Sequence, residues 1–113
     1  MRRRLLVFSF VAGAAAVAAG FSALEVGSDR GGASRIPAHF CGVFGLKTTA
    51  RRIPAAGHIP PMPGGKSQVG LLGSMLSIGP LARSVEALQL ALGLLAGPDG
   101  RQLDIPPGPF QPA

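Results

Sequence analysis

Tryptophan and tyrosine are absent from this chain of 113 residues, whose aromatics are six phenylalanines. Neither ring is therefore available to stack on bases, which counts against a nucleic-acid binder despite a formal net charge of +6. The basic residues are scattered apart from Arg2-Arg3-Arg4 and Arg51-Arg52, so the surplus reads as a general bias and no nucleic-acid partner is expected. A single cysteine, Cys41, excludes an internal disulfide, and its neighbours Phe40, Gly42, Val43 and Phe44 suit a buried thiol acting as a small hydrophobe. The two histidines, His39 and His58, have no carboxylate or cysteine at metal-ligand spacing, so no metal is expected, and no cofactor is expected either. Charge is scarce as well: 14% of residues are charged against 47% hydrophobic, which leaves apolar faces open to self-association.

Long hydrophobic runs are also missing. The run from Leu5 to Ala19, broken by Gly13, falls short of the roughly 20 residues that span a bilayer. Arg2-Arg3-Arg4, the apolar stretch from Leu5 to Ala12 and the small residues Ala16-Val17-Ala18 resemble a secretory signal peptide, which would send the product out of the cell. The same residues fit a second reading, in which an atypical basic and apolar segment, 1–13, is joined to a domain beginning at residue 14 by a misread start or a shifted frame. The signal-peptide features are generic, so the second reading is preferred and the expected location is cytoplasmic.

What the chain has in quantity is backbone punctuation. Seventeen glycines and eleven prolines gather around residues 54–65 and 97–113, which read as loops. Between them lie helical and strand patterns: a helix over 14–19, a strand over 21–26, a short helix over 36–41 with Pro37 in its first turn, and a buried strand over 42–47. The clearest element is a helix over 85–96. Ser84 is its N-cap, Glu86 lies in its first turn and Gly97-Pro98 follows its end, while Val85, Leu88, Leu92 and Leu95 make one apolar face. The class is α/β, in one small domain at most.

The candidate site follows the first strand. Gly27-Ser28-Asp29-Arg30-Gly31-Gly32 reads as a loop whose glycines let backbone N–H groups converge on one point. Such a nest of donors can hold an anion or stabilise a developing oxyanion. The candidate donors are Arg30, Gly31 and Gly32, continued by Ala33, and Arg35 is placed to pair with Asp29 and brace the loop.

The stretch from Leu24 to Thr48 (LEVGSDRGGASRIPAHFCGVFGLKT) resembles the active-site region of amidase signature enzymes. The likeness continues through Gly57-His58-Ile59-Pro60-Pro61-Met62-Pro63-Gly64, through the segment from Ser77 to Glu86, and through Leu95-Ala96-Gly97-Pro98-Asp99-Gly100; upstream it includes Ala14 to Gly20. It covers residues 14–113, a partial domain cut from one several times longer. The resemblance implies an α/β/α sandwich with a mixed β-sheet. It also implies hydrolysis of amide C–N bonds of small molecules through an acyl-serine intermediate, in which a lysine acts through a bridging serine to deprotonate the nucleophilic serine.

The match carries its own exception. Where the family has its nucleophilic serine, after the second glycine, this chain has Ala33, and the fixed spacing from Gly27 to Ala38 leaves no room for a slip. Ser34 is the fallback hydroxyl, but a shift of one residue turns a side chain to a different direction. The bridging-serine position falls on Ser9 by spacing only, without the glycines of the family motif, and neither Lys47 nor Lys66 matches the catalytic lysine. The expectation is an amidase-like chain that does not perform the family reaction. The alternative is a non-catalytic exported or membrane-associated protein that keeps the loop as a binding or structural element.

Overall fold

The computed structural model describes residues 11–58, 74–102 and 105–106. Ser9, Lys66 and the segment 59–73 lie outside the described residues. Residues 11–18 form the first helix, α1, in a stretch dominated by alanine, the residue that loses least on entering a helix. Ala14 and Val17, three apart and so on one face, are fully buried. The helix is closed by a turn at Gly20, whose φ of 80° is left-handed, and Arg83 donates from Nη1 to the Val17 carbonyl at 3.0 Å.

The first strand, β1, runs Leu24–Asp29, three residues later than the sequence pattern predicts. Gly27, Ser28 and Asp29, expected in a loop, are strand residues because they pair with Gly79, Ile78 and Ser77 of a later strand. Phe21, expected in β1, is left 88% exposed, and the chain there is turned by N–H bonds from Phe21 and Ser22 to the Ala16 carbonyl. Long-range pairing overrides the local β-preference of phenylalanine.

The partner strand is the element that the sequence reading leaves unassigned. With β2 at Phe44–Gly45 and β3 at Ser77–Ala82, the described strands form an antiparallel sheet in the order β1–β3–β2, and β3 is buried along its whole length. Gly79 and Pro80 argue against an interior strand on sequence alone. They are tolerated because of what happens at β2. Leu46 donates its N–H to the Pro80 carbonyl at 3.0 Å, but Pro80 has no N–H to return, so the ladder stops. The strand expected over 42–47 thus ends at Gly45, and on its other side Gly42 and Val43 donate back to the His39 and Ala38 carbonyls, so two residues remain, with Phe44 48% exposed in place of buried. The Leu46 carbonyl lies over Gly79, where a Cβ would collide with it.

Two helices flank the sheet. The second helix, α2, runs Arg35–Cys41, close to the expected 36–41, with Pro37 in its first turn and Gly42 as a left-handed C-cap at φ 68°. The third, α3, runs Val85–Leu95 and begins as expected at Ser84, whose Oγ accepts from the Ala87 N–H at 3.2 Å. Past its end, Gly97 donates to the Arg52 carbonyl at 3.1 Å, tying the helix to the loop after β2. Leu88 and Ala91 of α3 are buried and Leu92 and Leu95 half-buried, whereas Val85, assigned to the same face, is 47% exposed. Ala14, Ala38 and Leu81 form a core cluster against which Cys41 and Val43 pack. Gly93 lies inside α3 with open space around the position of a Cβ. Gly93→Ala is expected to raise stability by about 0.5–1 kcal/mol, read as a higher urea midpoint at unchanged slope.

Candidate active site

The loop between β1 and α2 is organised around one carboxylate. Asp29, at the end of β1, is 1% exposed. Its Oδ1 accepts from the Gly32 N–H at 2.7 Å and from Arg35 Nη2 at 3.2 Å. Oδ2 accepts from Arg35 Nε at 2.9 Å, from the Arg35 N–H at 3.3 Å and, more weakly, from the Ser34 N–H at 3.4 Å. The guanidinium thus meets both oxygens of the carboxylate, and the backbone donors that open α2 complete its shell. Burial pushes the Asp29 carboxyl up, but its bonds from the Arg35 side chain and from the Gly32 and Arg35 N–H groups override that, holding it well below the usual carboxylate range. Arg35 is shifted the other way, raised by its bond to Asp29.

The glycines fit this arrangement specifically. Gly32 has φ 101°, and a Cβ there would come within 2.6 Å of Ile36 Cδ1. Gly27 makes room for Ser34, whose Oγ would lie 2.7 Å from a Cβ at that position. Ser34 is the N-cap residue of α2 and is 2% exposed. Its hydroxyl donates back to the Ser28 carbonyl over a long 3.4 Å. Ala33, half-buried, occupies the position between Gly32 and Ser34 at the turn into α2.

The structure therefore brings Asp29 and Arg35 together as an ion pair, joined by Gly32, with Arg30, Gly31 and Ala33 in the same turn between β1 and α2. The Gly32 N–H, one of the donors expected to form a nest, is engaged by Asp29 and is not directed at a ligand while that bond holds. Sequence reasoning missed Lys47, whose Nζ donates to the Asp29 carbonyl at 2.8 Å, the Met75 carbonyl at 3.0 Å and Ser77 Oγ at 3.0 Å. Its partners lie 18 to 30 positions away, too far for any local spacing rule to reveal. Two of its three acceptors are main-chain carbonyls, so the amine ties three stretches of the chain together. Among the described residues, no group of three or more His, Cys, Asp or Glu is arranged to hold a metal ion.

A buried acid thus anchors the glycine loop between a strand and a short helix. The chain belongs to the amidase family, whose model, described as Amidase, matches residues 13–112. It is 44% identical over 98 residues to fatty-acid amide hydrolase 1 of Sus scrofa, covering 85% of this chain and 16% of that protein. It is 44% identical over 85 residues to the 1-carboxybiuret hydrolase subunit AtzE of a Pseudomonas species, covering 75% of this chain and 16% of that protein. Among solved structures, 6-aminohexanoate cyclic dimer hydrolase complexed with substrate superposes with a TM-score of 0.69 at 34% identity, over 90% of this chain and 20% of that one. The chain thus spans less than a quarter of the length of each of these relatives.

Proposed function

We propose that this chain carries the glycine-loop part of an amide-hydrolysing site and does not itself hydrolyse amides by the acyl-serine route. The observation that carries the reading is Ala33 at the position where the family resemblance places the nucleophilic serine, in a loop whose Asp29–Arg35 frame is otherwise built. The ligand class that goes with the loop is a small-molecule amide or the acid derived from it, held by backbone N–H groups of Arg30, Gly31 and Ala33. Losing one member of a cooperating catalytic set removes most of its acceleration. Ser34 is a poor replacement, because its hydroxyl is buried under the loop and faces the Ser28 carbonyl.

A cytoplasmic setting accompanies this reading, and among the described residues no helix is long and apolar enough to cross a membrane. Self-association belongs to it too, through exposed apolar side chains such as Phe21, Phe40, Leu90 and Leu94. The experiment is release of p-nitroaniline or ammonia from a panel of simple amides by the full chain, alongside its Ser34→Ala variant. The expected result is the uncatalysed rate for both. Turnover by the parent chain that Ser34→Ala abolishes would overturn the reading.

A further inference from the structure

We propose that Lys47 is a positioning residue that fixes the Asp29–Arg30 peptide and so aims the first backbone donor of the glycine loop, an inference that rests on reading that loop as an oxyanion-type binding element. The ammonium of Lys47 carries three protons, and three acceptors meet it: the Asp29 carbonyl at 2.8 Å, the Met75 carbonyl at 3.0 Å and Ser77 Oγ at 3.0 Å. They come from the end of β1, the segment ahead of β3 and the first residue of β3. A trans peptide is planar, so the Asp29 carbonyl and the Arg30 N–H point in opposite directions. Holding the carbonyl on Lys47 therefore turns the Arg30 N–H away from Lys47, at the point where strand gives way to loop.

Asp29 is gripped at both of its polar ends. The Arg35 side chain and three backbone N–H groups hold the carboxylate, which sets where Gly32 and α2 begin, while Lys47 holds the main chain, which sets how the loop leaves β1. Removing Lys47 keeps every partner of the carboxylate but loosens the Asp29–Arg30 peptide beside it, leaving Asp29 held by its strand pairing with Ser77, so the cluster opens more often. Arginine is no substitute, since a flat fork cannot meet three acceptors that converge on one atom. Nor is the Lys47–Ser77 contact a catalytic dyad. Ser77 is 4% exposed, and its partner amine is committed to two carbonyls.

The test is amide hydrogen exchange by NMR on the full chain and on Lys47→Met, which keeps the length of the stem and removes the donors. Exchange at Gly32 and Arg35, whose N–H groups both end on Asp29, is expected to accelerate by about tenfold, while Leu92 in the middle of α3 changes by less than about twofold. Lys47→Arg is expected to leave the loop as fast as Lys47→Met does. Uniform acceleration across α3 and the loop would make Lys47 a general stabiliser and overturn the proposal, as would unchanged exchange at Gly32. Should Lys47→Met fail to fold, Ser77→Ala removes one acceptor of the three: faster exchange confined to the loop supports the clamp, and its absence overturns it. Exchange reports the loop whether or not it binds an amide. Loss of the binding reading would thus appear in ligand assays with the exchange pattern intact.

Discussion

Asp29→Asn is expected to destabilise the chain by about 3 kcal/mol at neutral pH, the low end for breaking a buried ion pair because Arg35 is half-exposed and can turn to water. The amide keeps the volume of the carboxylate but loses its charge. It also brings an NH2 group into a shell made entirely of donors: the N–H groups of Gly32, Ser34 and Arg35 and two guanidinium nitrogens. An NH2 group takes the place of one of the two oxygens that these donors share, so at least one backbone N–H, that of Gly32 or those of Ser34 and Arg35, is left facing another hydrogen. Against a typical total stability of about 5–15 kcal/mol, this is a large loss. Urea unfolding of the two proteins measures it directly.

The same pair fixes the pH dependence. The carboxyl of Asp29 is lowered in the folded state, so its contribution is fully present above the ordinary unfolded value of about 4 and is lost as pH falls from there toward the folded value. Parent and Asp29→Asn chains should therefore differ most at neutral pH and converge on acidification below about pH 4. A gap that stayed constant with pH would mean that the carboxylate is not charged in the fold.

Gly79→Ala is expected to cost at least about 2 kcal/mol, with failure to fold as its extreme, although it adds one methyl group and alanine is the better residue on most scales. The methyl would enter the Leu46 carbonyl in the most buried strand of the sheet, and the neighbour that has to yield is backbone, not a flexible side chain. Leu46 cannot move away freely, because its N–H is bonded to Pro80 and Thr48 donates from Oγ1 to the Ile78 carbonyl at 2.6 Å, two residues on. The contrast with Gly93→Ala makes the prediction specific. Identical chemistry in open space on α3 should stabilise, so opposite signs are expected in one urea series.

Why β3 escapes a sequence reading and α3 does not is a matter of where the information lies. The third helix writes its start, its end and most of its buried side into the run from Ser84 to Pro98, through Ser84, Glu86, the leucine spacing and Gly97-Pro98. The third strand has a glycine and a proline at its centre, and only the closeness of Leu46 explains either of them. The loop was half legible. The pairing of Asp29 with Arg35 can be read from charge and proximity along the chain, and the motif supplies the glycines. That Gly27 to Asp29 belong to a strand is decided by residues 77–79, and that Lys47 closes the corner is decided by Asp29, Met75 and Ser77 together. Neither contact leaves a trace at short range.

On the proposed reading, no hydroxyl in this loop is an activated nucleophile. The direct measurement is the intact mass of the full chain, followed by peptide mapping, after incubation with an organophosphonate that phosphonylates activated serines. An unchanged mass is the expected result, since Ala33 has no nucleophilic atom and Ser34 is buried against the Ser28 carbonyl. A single stoichiometric adduct mapped to Ser34 would contradict it.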